Sequence, residues 1–442
     1  MLRLVLIFYC ALTLYAVAET ASPSNKLVFA HYMVCCPSFG TEGNNEQHSA
    51  EISLAIKNGI DGFSLNFISY FKNSAYPRVT SAIFRAARRH PNFKLMFSFD
   101  RVTAEDSSSI LLTYLHEPNL FRHDGRIVVS GWGQTPEWTL AIRQILSANG
   151  VQIFLVPNMV YPLQKKYPES RRNIEADFWV ATKVIQDSPD LDGFFSWAVG
   201  ETFDETSRAI PKVGELLSTQ NKLYMAGIRP MYRGYGNNFR ITEGHGFEGM
   251  RRLWEAAINT NVDWIQLITW NDWNESTYLQ PFDGPVANVF NLPEWRLELD
   301  HSGFLYASRY YIDWFKTGRP PLITSDRFFY FYHLHPKSSE GLVDATALRG
   351  KPKFWSTFSE RVHFATFLTA PATLRVRIGT AENVINLPAG PSVSSVPASL
   401  GIVEVDFLRA GNLLTTARLP LPIEISPSVG SFNYLARELT IH

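Results

Sequence analysis

The feature that most constrains this chain is an alternation held from Lys26 to Gly318, in which short apolar runs take turns with amphipathic helical stretches. The strand-like runs are KLVFAHYMV from Lys26, GFSLNFI from Gly62, FKLMFSFD from Phe93 and GRIVVSGWG from Gly125. VQIFLVPNM follows from Val151, GFFSWAVG from Gly193, KLYMAGIRP from Lys222 and WIQLITWND from Trp264. Between them lie helix-like segments such as AEISLAIKNG, TSAIFRAARRH, EWTLAIRQILSANG, PKVGELLSTQ and GMRRLWEAAINT. Several end in Asn-Gly or a similar breaker, as a helix C-cap does. GFLYASRYYIDWFKTG from Gly303 supplies a helix after the last run. Near-continuous apolar strands separated by helices are buried on both faces, which is the pattern of a parallel sheet with crossover helices. Eight such units predict an α/β fold, a (β/α)8 TIM barrel over residues 26–318. An open doubly wound sheet would carry a glycine-rich turn after its first strand, and VCCPSFG is no such turn.

The texture changes beyond the barrel. HFATFLTA, ATLRVRIGT, IVEVDFLRA and SFNYLARELTIH alternate with the period of a strand between turns containing Pro or Gly. They predict a small antiparallel β-sandwich over 341–442. Residues 319–340, including the aromatic stretch RFFYFYH, read as a connecting segment packed between the two. At the other end, Arg3, the apolar run Leu4–Leu14 and Ala16-Val17-Ala18 have the pattern of a secretory signal peptide over residues 1–18. No later stretch is long and apolar enough for a spanning helix, so a secreted chain, free of the membrane once cleaved, is expected. Cys10 falls in the signal, which leaves Cys35 and Cys36. Their Cα atoms, about 3.8 Å apart as neighbours, are closer than in an ordinary disulfide. Two free thiols and a strained vicinal disulfide both stay open.

Composition narrows the function. With 41 basic and 41 acidic residues the net charge is zero, which leaves no basic excess for non-specific nucleic-acid binding. Eleven Trp and 18 Tyr suit stacking on sugars, and they suit a large core equally. No Gly-x-Ser-x-Gly elbow or metal-ligand spacing is present.

In a barrel the chemistry sits at the C-terminal strand ends. Those positions hold His31 and Tyr32, Asn66, Asp100, Trp132, Asn158, Trp197, Glu201 and Arg229. The eighth strand ends in Trp270-Asn271-Asp272-Trp273-Asn274-Glu275-Ser276, the densest polar and aromatic cluster in the chain. Glycoside hydrolysis needs one protonated carboxyl to assist the leaving oxygen and one ionised carboxyl as base or nucleophile. Asp272 and Glu275 are the candidate catalytic pair, Asp100 and Glu201 are rivals for the second role, and capping of the loop is the structural alternative. His31, Asn66, Asp100, Trp197, Glu201, Arg229, Trp270, Trp273 and Tyr278 are the candidate substrate-binding residues. Asn274-Glu275-Ser276 is the only N-glycosylation sequon. A glycan there would block this site, so either Asn274 is buried and unmodified or the site lies elsewhere.

These residues resemble glycoside hydrolase family 71, the α-1,3-glucanases or mutanases. The matching pieces are KLVFAHYMV, GIDGFSLNF, FSFD, DGFFSW, ITWNDWNES and YIDWFKTGRPPLITSDRFFYFYHLHPK, in the same order over nearly the whole chain. The resemblance implies endo-hydrolysis of α-1,3-glucan with inversion, no cofactor, and the strand-eight Asp and Glu, here Asp272 and Glu275, as catalytic pair. A monomer acting on α-glucan is expected. Two loops depart from the family pattern: CCPSFGTEGNNEQHS after strand one, and WAVGETFDETSR after strand six, where Ala198 replaces a customary Asp. Two alternatives remain. One is a glycosidase of the same fold acting on another α-linked polysaccharide, and the other is a non-catalytic carbohydrate-binding barrel.

Overall fold

The computed structural model describes residues 26–68, 70–160, 163, 166, 175–198, 202–234, 240–281, 298–339, 352–425 and 432–441. The signal-like segment 1–18 and Glu201 lie outside the described residues. One nine-stranded sheet holds eight parallel strands, β1 (Leu27–Met33), β2 (Gly62–Phe67), β3 (Lys94–Asp100), β4 (Arg126–Trp132), β5 (Ile153–Pro157), β6 (Gly193–Ser196), β7 (Leu223–Ile228) and β8 (Trp264–Leu267), and a short antiparallel strand, Arg122–His123, paired to β4. A helix follows each strand: α1 (Asn45–Lys57), α2 (Ala75–Ala87), α3 (Ala104–Thr113), α4 (Pro136–Ala148), α5 (Ala176–Asp187), α6 (Phe203–Thr219), α7 (Glu248–Ile258) and α8 (Ser302–Thr317).

Strand order is β5-β4-β3-β2-β1-β8-β7-β6, so β1 pairs with both β2 and β8. The two outer strands, β5 and β6, are consecutive in the chain, and side chains bridge them. Leu155 N donates to Asp192 Oδ2 at 2.9 Å, and Asn158 Nδ2 donates to the Phe195 carbonyl at 2.9 Å. Arg126 and Arg143 also hold Asp192, at 2.5 and 3.0 Å. The two faces of the strands are both apolar, as the sequence pattern required. Phe29, Met96, Val128, Phe154, Phe195 and Met225 make one cluster. The alternate residues Val28, Ala30, Leu65, Phe97 and Val129 pack in a larger cluster with the helices.

Helix starts precede the apolar stretches in three places, one of them α2, which begins at Ala75 rather than Thr80. α1 begins five residues before the apolar stretch at Ala50, because Asn44 and Gln47 form a capping box ahead of it. α6 begins eight residues before Pro211, started by a capping box of Thr202 and Glu205, and carries the proline inside it.

The C-terminal region has two antiparallel four-stranded sheets. Their strands are β9 (Arg327–His333), β10 (Arg361–Leu368), β11 (Ala372–Ile378), β12 (Ala381–Leu387), β13 (Gly390–Pro397), β14 (Val403–Arg409), β15 (Asn412–Arg418) and β16 (Tyr434–Leu439). The orders are β13-β10-β9-β16 and β12-β11-β14-β15. Segment 319–340 therefore supplies a central strand as well as a connection. Phe328, Tyr330 and Tyr332 of β9 share a core with Leu374, Val376 and Phe407 from the other sheet. Phe329 and Phe331, on the opposite face, join Phe304 and Tyr311 of α8 in the main cluster.

A buried polar knot reinforces this junction. The Glu243 carboxylate accepts from His333 Nε2 at 2.9 Å, from His245 N at 2.8 Å and from the Tyr434 hydroxyl. Burial alone would raise the Glu243 carboxyl, but His333, Tyr434 and His363 outweigh it and hold it down to about 2.

Candidate active site

Beyond Leu267 the chain leaves the regular ladder without leaving its neighbours. Ile268 N donates to Ile228 O at 2.8 Å, and Trp270 N donates to His31 O at 2.7 Å. The segment thus stays wedged between β7 and β1. Thr269 and Thr277 close it into a loop, with Thr269 N donating to Thr277 O at 2.9 Å. Short polar side chains then set its path, as they do in turns. Asp272 N donates to Thr269 Oγ1 at 2.8 Å, and Glu275 N donates to Asp272 Oδ1 at 3.0 Å. Asn271 ties the loop to the turn after β1: its Oδ1 accepts from Met33 N at 2.7 Å, and its Nδ2 donates to Met33 O and Cys36 O at 3.0 Å each.

Asp272 and Glu275 open into a cleft of about 480 Å³ at the C-terminal strand ends. Asn66 from β2, Asp100 from β3, Trp132 from β4, Trp197 beyond β6, and Trp273 line it with them. Arg101, Ala198 and Ser276 hold φ values of 55°, 61° and 52°, a region that side-chain-bearing residues rarely adopt. Each follows a strand end at this rim, the kind of place where such conformations collect.

The two carboxyls sit in unlike settings. Burial first, and then the negative charge of Asp272, push the Glu275 carboxyl up to about 8. The Tyr232 hydroxyl, which donates to Glu275 Oε1 at 2.9 Å, and the Arg240 guanidinium oppose that rise, while Asp100 adds to it. The protonated form of Glu275 is therefore favoured. Asp272, by contrast, already accepts a backbone N–H, an interaction that favours the ionised form. Burial raises the Asp100 carboxyl, against the pull of Arg101, whose Nε lies 3.0 Å from Asp100 Oδ1.

Of the residues singled out from sequence, Asn66, Asp100, Trp197, Asp272, Trp273 and Glu275 meet in the cleft. His31 lies behind Trp197, ring centroids 4.6 Å apart, with Nδ1 at 2.9 Å from Gln266 Nε2. Burial lowers His31 to about 3, so its ring is neutral. Trp270, Tyr278 and Arg229 are fully buried behind the lining. Trp270 packs on Phe63 at 5.2 Å, Tyr278 stacks on His301 at 4.2 Å, and the Arg229 guanidinium lies 4.0 Å from the Phe203 ring.

Asn274 is exposed at the rim rather than buried, whereas Ser276 of the same sequon is buried. Sequence reading missed Arg101, beside Asp100, and Tyr232 and Arg240, which reach Glu275 only when the loops meet. Cys35 and Cys36 are joined in a vicinal disulfide, and both line the cleft. Among the described residues, no group of three or more His, Cys, Asp or Glu side chains is placed to hold a metal ion.

The chain is similar over its whole length to fungal enzymes. It is 28% identical to Mutanase Pc12g07500 of Penicillium rubens, covering 94% of this chain and 89% of that protein. It is 25% identical to the Glucan endo-1,3-alpha-glucosidase agn1 of Schizosaccharomyces pombe, covering 96% of each. The Ascus wall endo-1,3-alpha-glucanase of the same yeast is 26% identical, with 94% of this chain and 97% of that protein covered. Among solved structures, the GH99 endo-alpha-mannosidase of Bacteroides thetaiotaomicron superposes with a TM-score of 0.49 at 15% identity, over 66% of this chain and 98% of that one. A model of glycosyl hydrolase family 71 matches residues 24–440, and the chain belongs to that family.

Proposed function

We propose that this protein is a secreted endo-hydrolase of α-1,3-glucan that inverts the anomeric centre, with Glu275 as general acid and Asp272 as general base. One observation carries the assignment: two carboxyls from a single strand end share a cleft, and burial keeps one neutral beside the charge of the other. The linkage follows the names of the curated relatives. The architecture is read as a closed (β/α)8 barrel followed by a β-sandwich. The β1–β8 pairing, the side-chain bridges between β5 and β6, and the core shared by the two antiparallel sheets support that reading.

Tyr232 donates to Glu275 Oε1, leaving Oε2 to carry the acid's proton. Glu275 gives that proton to the glycosidic oxygen as its bond to the anomeric carbon breaks. Asp272 takes a proton from the water that attacks the same carbon from the opposite face. Asn66 and Asp100 hold sugar hydroxyls, and Trp197 and Trp273 flank the rings. His31, Arg229, Trp270 and Tyr278 support this lining from behind.

Reducing-sugar release from a panel of insoluble α-glucans tests the reaction. Asp272→Asn and Glu275→Gln should each lower kcat by about 10³-fold or more with glucan binding retained. Asp100→Asn should mainly raise KM. Near-normal turnover in Asp272→Asn alongside a dead Asp100→Asn would reassign the base. NMR of the nascent reducing end should show the β-anomer. Export rests on the signal-like segment 1–18, and among the described residues no helix is long and apolar enough to cross a membrane. N-terminal sequencing of secreted protein should read from Glu19. Active cytosolic protein with Met1 intact would overturn export.

A further inference from the structure

We propose that the Cys35–Cys36 disulfide is a specificity-determining wall of the cleft, an apolar sulfur surface against which the C–H face of one sugar ring packs beside the scissile bond. The inference rests on the reading of Asp272 and Glu275 as the catalytic pair. A bridge between neighbouring residues closes almost no chain, so it contributes little by restricting the unfolded state, and its use must lie in the folded site. There the bridge joins the strand-eight loop at two points and its own turn at a third. Asn271 Nδ2 and Trp273 Nε1 both donate to the Cys36 carbonyl, at 3.0 and 2.9 Å, and Cys36 N donates back to Met33 O at 3.0 Å. Cys36 is buried against Trp273 and Tyr278, while Cys35 is only half-buried and reaches the cleft.

Asn66, Asp100, Asp272 and Glu275 offer hydrogen bonds to hydroxyls, and the indoles of Trp132, Trp197 and Trp273 add apolar surface elsewhere in the cleft. A pyranose presents hydroxyls at its edge and carbon-bound hydrogens on its faces. The disulfide, polarisable and without a strong donor, complements a face. Because Asn271 and Trp273 flank Asp272 in sequence and both hold Cys36 O, the sulfur surface is held in register with the catalytic residues.

Alkylation without prior reduction should label neither cysteine in active, full-length secreted enzyme. Calorimetric titration with α-1,3-linked gluco-oligosaccharides in the Glu275→Gln background measures binding apart from turnover. Reduction by a phosphine should weaken it about 10-fold, and reoxidation should restore it. In the otherwise unaltered enzyme, Cys35→Ser/Cys36→Ser should raise KM about 10-fold with kcat changed less than about 3-fold. Two free thiols in active enzyme, or unchanged oligosaccharide affinity on reduction, would overturn the proposal. A fall in kcat with KM unchanged would also overturn it, assigning the bridge to loop positioning alone. Failure of the catalytic reading is distinct: Glu275→Gln and Asp272→Asn would then stay active whatever the state of the cysteines.

Discussion

Glu275, the proposed general acid, carries a cost to the fold. Its folded carboxyl is pushed up to about 8, whereas in an unfolded chain it would titrate near the ordinary value of about 4.5. A raised folded value means that the group's favourable contribution is complete below the unfolded value and is lost as pH rises toward 8. Glu275→Gln, which cannot ionise, should therefore be more stable than the parent protein at pH 8, by about 4 kcal/mol, with the gap closing below pH 4. Denaturant titrations of both proteins across that range check it, and a gap that grows toward acid would refute it. That this strand end carries two carboxylates was legible in the sequence, because an apolar strand has no packing reason to end in Asp272 and Glu275 beside the indoles of Trp270 and Trp273. Their unlike settings were not legible. Those depend on how deeply the packed loops bury Glu275, a rise that Tyr232 and Arg240, approaching from the loop after β7, partly oppose.

Among elements, the join between β5 and β6 is the part of the sheet that depends most on side chains. Asp192 stands where a ladder hydrogen bond would otherwise be, accepting from Leu155 N while Arg126 and Arg143 hold its carboxylate. Asp192→Ala would leave a buried N–H and two partly buried guanidiniums without that partner. A loss of about 2–3 kcal/mol in chemical denaturation is expected, with kcat changed far less than by Glu275→Gln. An unchanged midpoint would show that the backbone closes this seam unaided. Element type was readable from periodicity, and element starts were not. α6 begins at a capping box and runs through Pro211 because the box and the buried face of Phe203, Ile210, Val213 and Leu217 together outweigh a local penalty of about 3 kcal/mol.

For the molecule as a whole, the junction between the parallel sheet and the antiparallel region is continuous core with Glu243 buried in it. The depressed Glu243 carboxyl contributes stability that is present above the unfolded value of about 4.5 and is lost as pH falls toward 2. Glu243→Gln should flatten the dependence of unfolding free energy on pH across that window. Because β9 lends alternate side chains to both cores, thermal unfolding should remain a single transition above pH 5. Two separated calorimetric transitions there would show that the regions fold independently.

The sequence by itself determined the eight strand–helix units, the β-rich tail and the strand end that carries the carboxylates. Each is a local pattern of period or composition, set by which side chains can be buried. Only the tertiary structure decided that β9 belongs to a central place in the second region, since an all-aromatic strand is apolar on both faces and names neither partner. It also bonded Cys35 to Cys36 beside the carboxylates and brought Tyr232 to Glu275. It left Trp270 and Arg229 buried behind the cleft, although their chain positions resemble those of residues that line it. Side-chain direction at a strand end depends on how loops distant in sequence pack against one another, and that information is absent from any local run of residues.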